Sequence, residues 1–376
     1  MKKILYLMEY PIDLPGGAQL STEIIASALA ENSEYGMESV CICPDLISKK
    51  GEEYPFRILT YPMGEKRFPN LIKRIRAFKN YIRNEKPDLI HIEMSESLIT
   101  YGFIKGLFKG IPYIYTDRGM YYGYRKRSRI FMDPVLKGAS AIITTTEKNR
   151  RLWEKNTGFG SFHTIPNTIN PLFESFDPER KKKGGPFTIG FAGRICPEKD
   201  WGKVPYIVRA LRDSGISFNV KLVLSLFEKG DRETADSLKK EIIDLIGEER
   251  LDYREELSQE EMSGFYYDTD LFIMTSCFES FGKAAVEAMS RKCAVMSTNV
   301  GGLPEVIGKK ENLYSMDDLT GLISYVKKAS ESEEFLSREQ EYFFKRYHSL
   351  YTSEAYIKRH VELYEGILRW GRQAGK

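Results

Sequence analysis

The chain has 376 residues, a length that favours two domains, each large enough to bury its own core. Hydrophobic residues make up 42% and charged residues 29%, which fits a globular protein and argues against disorder. The formal net charge of +3 is too small to imply a nucleic-acid partner. The five cysteines, Cys41, Cys43, Cys196, Cys277 and Cys293, are odd in number and suggest no disulfide framework. Cys41 and Cys43 would share one face of a strand, but no second pair or nearby His completes a metal site, so buried thiols in a reduced compartment are expected. No signal peptide is visible. The apolar stretch 98–115 is broken by Lys105 and Lys109 and is too interrupted for a membrane span. The expectation is a cytoplasmic protein.

In chain order, Lys3–Met8 reads as a strand and Gln19–Glu31 as a helix, with Leu20, Ile24, Ala28 and Leu29 near helical spacing. Further strands are predicted at Met37–Cys43, Asp88–Ile92, Tyr113–Thr116 and Ala141–Thr145. Around Asn167 the pattern resets. The segment from Asp177 to Pro186 is charged and then rich in Gly and Pro, so it reads as an exposed connector, with Lys181–Lys183 in solvent. Strands follow at Phe187–Ala192, Val220–Ser225, Leu271–Thr275 and Ala294–Ser297, with helices at Asp231–Leu245 and Lys283–Ser290. The tail from Ser353 to Trp370 is predicted as a long final helix. Strands alternating with helices in both halves predict an α/β fold of two Rossmann-like domains. The expected division is 1–168 and 169–352, with 353–376 rejoining the first domain.

Three segments of the second half carry chemistry. Gly193-Arg194 and Lys199 follow a predicted strand; an Arg fork and a Lys point charge suit a diphosphate, although a plain surface loop reads equally well. Ser276 to Met289 follows another strand and sets Glu279 and Glu287 on either side of Gly282, where a helix should start. Such a start offers amides and a positive dipole end to phosphate. Glu279 is placed to accept from hydroxyls, and Glu287, a turn into the helix, to meet a ribose diol. The bland readings are a capping acid and a solvent-facing helix residue. Gly301-Gly302-Leu-Pro304-Glu305 follows a third strand and suits a loop bordering a nucleotide.

Together these motifs resemble family 4 of the glycosyltransferases. Ile165-Pro166-Asn167-Thr-Ile-Asn170 is similar to that family's interdomain junction, as are Pro15-Gly16-Gly17-Ala18 and Lys86-Pro-Asp-Leu-Ile-His91 to its first-domain motifs. The resemblance runs through nearly the whole chain in order. It implies the GT-B fold, two Rossmann-like domains facing across a cleft with the last helix crossing back. It also implies a retaining, metal-independent hexosyltransferase that uses a nucleoside-diphosphate sugar, UDP-sugars first, and needs no cofactor. By position, Arg194 and Lys199 would hold the diphosphate and Glu279 the sugar hydroxyls. Glu287 would hold the ribose, the amides at Phe281 and Gly282 would approach sugar and phosphate, and Gly16 and Gly17 would touch the donor from the first domain.

Where the family pattern has a histidine after the fourth strand, this chain has Arg118. Arg118 is therefore expected either to receive an anionic acceptor or help the diphosphate, or to mark weakened or lost activity, and Tyr121 in the following Tyr- and Arg-rich loop is placed on the acceptor side. Between Lys66 and Lys86 eight basic residues face one acidic residue, with Ile72, Ile75, Phe78 and Ile82 interleaved at helical spacing. That pattern fits either a helix on an anionic membrane or a core-packed helix with a basic outer face. The expected acceptor is a glycan, a lipid-linked oligosaccharide or a cell-surface polymer. Two other readings stay open. One is a non-catalytic relative that binds sugar or nucleotide. The other is a dinucleotide oxidoreductase, which would want Gly-x-Gly-x-x-Gly after the first strand.

Overall fold

The computed structural model describes residues 1–48, 51–64 and 67–373; Lys66 of the basic run and residues 374–376 of the expected final helix lie outside them. The chain forms two compact units, Met1–Asn167 joined by the segment from Ser353 onward, and Thr168–Thr352.

The first unit is built on a parallel sheet of seven strands: β1 (Lys2–Leu7), β2 (Met37–Pro44), β3 (Arg57–Tyr61), β4 (Leu89–Glu93), β5 (Tyr113–Asp117), β6 (Ala141–Thr144) and β7 (Phe162–Thr164). Their order across the sheet is β3-β2-β1-β4-β5-β6-β7. Successive residues of a strand point to opposite faces. Ile4 and Tyr6 accordingly enter a core shared with Ile24, Ile25 and Leu29 of helix Gly17–Glu31. Leu5 and Leu7 enter the opposite core with Phe78, Leu98, Met132 and Trp153. Covering both faces is why the central strands read as unbroken apolar runs.

The final helix, Ser353–Gln373, belongs to the first of these cores: Tyr356, Val361 and Tyr364 pack with Ile4 and Tyr6. The Tyr364 hydroxyl lies 2.7 Å from His91 Nδ1 and 3.2 Å from the Tyr6 hydroxyl, all three buried. Burial, with Arg118 nearby, holds His91 neutral by pushing its pKa well down.

The second unit carries a parallel sheet of six strands: β8 (Thr188–Arg194), β9 (Asn219–Ser225), β10 (Leu251–Glu255), β11 (Leu271–Met274), β12 (Ala294–Thr298) and β13 (Leu313–Tyr314), ordered β10-β9-β8-β11-β12-β13. Ile189, Phe191, Leu271 and Ile273 face one core; Phe272, Met274, Val286 and Met289 face the other.

The strands that pattern reading did not find are β3, β7, β10 and β13, and these are the four sheet edges. β3, β7 and β10 are half-buried at most positions and β13 has only two residues, so the apolar signal of each is weak. One other expectation needs correction. Lys181 and Lys182 are not solvated: Lys181 Nζ donates to the Thr269 carbonyl at 2.6 Å, and Lys182 pairs with Asp270 at 2.6 Å. Cys41 and Cys43 are buried, as expected, while Cys277 is exposed.

If the final helix completes the first core, Tyr364→Ala should cost roughly 3–5 kcal/mol of stability in urea unfolding. A loss below about 1 kcal/mol would show a loosely docked helix.

Candidate active site

In the second sheet the chain leaves β8 toward β9 on one side and leaves β11 toward β12 on the other. Crossovers that part in this way leave a crevice at the carboxyl ends of the two strands. Arg194 ends β8 and is exposed. Its carbonyl accepts from Trp201 Nε1 at 2.9 Å, which fixes the turn that follows. Lys199 ends a short 3₁₀ turn, Pro197–Lys199. Its carbonyl accepts from Thr275 Oγ1, just beyond β11, at 2.7 Å, and the Cys277 amide donates to Glu198 at 2.9 Å. The loops after β8 and β11 are thereby stitched together, and Lys199 Nζ meets Glu279 Oε2 at 2.7 Å.

Glycine is required where the third loop closes on this pair. Gly301 has φ +51°, and a Cβ there would fall 1.8 Å from the Glu279 carbonyl oxygen. The Gly302 amide donates to that same oxygen at 2.9 Å. Gly282, at φ +101°, starts helix Lys283–Ser290. The Phe281 ring is buried against Tyr351, so only its backbone serves the loop. Glu287 lies half-buried on the helix, and the Tyr266 hydroxyl donates to its Oε2 at 3.0 Å. Burial raises the Glu287 carboxyl above the ordinary range, opposed by the Tyr266 hydrogen bond and by Lys283 and Lys199.

The structure thus brings Lys199 and Glu279 into contact and sets Arg194 on the adjoining strand end. A cavity of about 720 Å³ opens beside Arg194, lined also by Glu198, Trp201, Phe227 and Asp231. The Arg194 guanidinium stands 5.6 Å from the Phe227 ring centre.

In the first unit, Gly16 and Gly17 open helix Gly17–Glu31 after β1, beside the β1/β4 divergence of that sheet. Arg118 follows β5 and is enclosed. Its Nε and Nη2 donate to the two oxygens of Glu93, itself fully buried, at 2.9 and 2.8 Å. It also bonds Asn167 and, at 3.3 Å, the Tyr356 hydroxyl. Burial opposes its charge, but Glu93 more than compensates and raises its pKa. The Tyr121 ring is likewise buried, edge-on to Trp153 at 5.0 Å and beneath the Arg129 guanidinium. The neighbour that faces solvent is Tyr122.

Both halves of the chain match known protein families. The glycosyltransferase family 4 model matches residues 15–172, and the model described as glycosyl transferases group 1 matches residues 173–345. The chain belongs to glycosyltransferase family 4. It is 30% identical over 186 residues to a 2-deoxystreptamine glucosyltransferase of Streptomyces kanamyceticus, a match that spans 46% of each chain. Its fold is that of a sucrose-phosphate synthase from Thermosynechococcus elongatus, with a TM-score of 0.82 at 17% identity over 98% of this chain and 100% of the other. It is also that of Anabaena HepE, solved in complex with UDP, with a TM-score of 0.78 at 15% identity over 97% and 100%.

In this glycosyltransferase, pattern reading missed Tyr266 and Glu93. Tyr266 lies in helix Gln259–Tyr267, 21 positions before its partner, and its only signal was an apolar aromatic run. Glu93 ends β4, one position beyond the predicted strand Asp88–Ile92, and no motif marks it.

Carbon-13 NMR should find the Glu287 carboxyl titrating above the ordinary value of about 4.3. Tyr266→Phe removes an influence that lowers this pKa, so the midpoint should rise further; an unmoved midpoint would show that the hydroxyl does not tune the carboxylate. For the first unit, Glu93→Gln leaves Arg118 buried without a countercharge and should cost roughly 3–5 kcal/mol in denaturant unfolding. A cost near zero would place Arg118 in contact with solvent.

Proposed function

We propose that the protein transfers a hexose from a nucleoside-diphosphate sugar to an acceptor hydroxyl, with retention at the anomeric carbon and without a metal. The observation that carries this reading is the Lys199–Glu279 contact at the carboxyl edge of the second sheet, beside Arg194 and the helix start at Gly282. An ammonium has three donors, so Lys199 keeps Glu279 while a second N–H reaches a phosphate oxygen. The ion pair also orients the carboxylate, whose free lone pairs accept from sugar hydroxyls.

Charge develops on the diphosphate as the anomeric carbon–oxygen bond breaks. Arg194, Lys199 and the amides around Phe281 and Gly282 stabilise that charge more in the transition state than in the bound donor. The acceptor oxygen then bonds to the anomeric carbon on the face the diphosphate leaves, and its proton passes to the departing phosphate oxygen. Glu287, with one oxygen held by Tyr266, takes the ribose diol with the other. Gly16 and Gly17, at the start of their helix, offer close backbone approach to a ligand. A UDP-sugar is favoured as donor by the HepE complex with UDP. Arg118 acts on the acceptor side through Glu93, shaping the wall behind Gly119 and Tyr121 rather than offering a free cation. The acceptor is a glycan or lipid-linked polymer of the cell envelope.

The test is donor hydrolysis and transfer with UDP-, GDP- and ADP-sugars, alongside thermal stabilisation. Lys199→Ala should lower turnover by roughly 10²–10³-fold, the size expected for losing one donor to a developing anion. Glu287→Ala should raise KM for the donor with less effect on kcat. Turnover should survive EDTA. Stabilisation by a sugar nucleotide without turnover of any acceptor would favour a binding protein; no stabilisation by any of them would overturn the donor site.

A further inference from the structure

The first unit has a face that the proposed chemistry does not use. Helix Lys126–Leu136 sends Met132, Val135 and Leu136 into the core. Arg127, Ile130, Phe131 and Pro134 follow at steps of three and four, which makes them one stripe on the opposite side. All four are exposed, Ile130 by 68% and Phe131 by 58%. A helix apolar on both sides belongs in a core, yet this one lies on a surface.

Its end is tied to the next exposed apolar segment. Lys105 Nζ donates to the Pro134 carbonyl at 2.6 Å, and Val135 packs so closely on Gly102 that a Cβ there would fall 2.7 Å away. These contacts set Phe103 and Leu107, each 58% exposed, beside the stripe. Helix Ser95–Gly102 continues the same layer and packs on helix Arg67–Glu85, whose outer side shows Ile72, Lys73, Arg76 and Arg83. Arg74 is not part of that side: it is buried and paired with Glu96 at 2.8 Å.

Most of the charge next to the apolar residues along the chain is positive. Lys105, Lys109, Arg125, Lys126, Arg127 and Lys137 flank them in sequence. The acidic residues between 102 and 138 are Asp117 and Asp133. Asp117 is fully buried and accepts from Trp153 and Asn149, and Asp133 faces Arg129 at 3.6 Å.

We propose that this face docks on an anionic lipid bilayer, with Phe103, Leu107, Ile130 and Phe131 entering the headgroup region and the Lys and Arg side chains meeting lipid phosphates. Protein interfaces are depleted of Lys at their apolar centres. Here cations flank each apolar segment along the chain, and the acid on the stripe's own helix, Asp133, faces Arg129, an arrangement a lipid surface accepts. The proposal rests on this surface and not on the donor site, so either can fail alone.

The experiment is co-sedimentation of the full chain with vesicles of phosphatidylcholine, with and without phosphatidylglycerol, at low and high salt. Binding should require phosphatidylglycerol and weaken with salt. Ile130→Ser with Phe131→Ser should weaken it by about tenfold or more, because two inserted apolar side chains are lost. Lys126→Glu with Arg127→Glu should weaken it as well, and sugar-nucleotide hydrolysis should persist in both variants as a check of folding. Three outcomes would each overturn the proposal: no binding to phosphatidylglycerol vesicles, binding unchanged in the serine variant, or a dimer in solution that the serine substitutions dissociate while vesicle binding stays absent.

Discussion

The candidate active site of this glycosyltransferase depends on one topological fact: the chain leaves β8 and β11 in opposite directions. Two neighbouring parallel strands whose crossovers part cannot cover their own carboxyl ends. The loops that start there are free to carry polar side chains, and they must be held by one another. Here the stitching is done by main-chain acceptors, the carbonyls of Arg194, Glu198, Lys199 and Glu279. That leaves the charged ends of Lys199 and Glu279 at the surface of the crevice, half-shielded and already in contact.

The two units treat charge in opposite ways. Lys199 and Glu279 keep part of their side chains in contact with solvent, so a ligand can compete for their hydrogen bonds. Glu93 and Arg118 are sealed, with hydroxyl and amide partners around them. A sealed pair with matched donors and acceptors adds little net stability but punishes any alternative arrangement. The residues it organises, Tyr356 and Asn167, are far apart in the chain, so it joins the start of the final helix to the end of β5. His91 and Tyr364 make a second, neutral tie of the same kind.

Burial also decides which of two similar residues serves which purpose. Tyr121 and Tyr122 are adjacent, and one closes on Trp153 while the other stands in water. Lys181 looked like one member of a solvated run, yet its ammonium is held by carbonyls and its pKa is pushed down by burial.

Much of the fold was legible in the sequence because the central strands are covered on both faces, and burial on both faces writes an unbroken apolar run. The edge strands β3, β7, β10 and β13 were not legible, since each lacks a neighbour and carries a mixed pattern. The glycines and acids of the candidate-site loops were legible for a different reason. Gly282 holds a backbone conformation that other residues rarely adopt, Gly301 makes a close approach that leaves no room for a Cβ, and Lys199, Glu279 and Glu287 sit at fixed offsets from strand ends. The sequence by itself therefore determined the two sheets and the residue types that crown the second. Only the tertiary structure decided who touches whom: that Tyr266 holds Glu287, that Arg118 is spent on Glu93, and that Phe131 faces outward. Those outcomes depend on which helix face meets which strand, and neither offsets along the chain nor the chemistry of single residues contains that information.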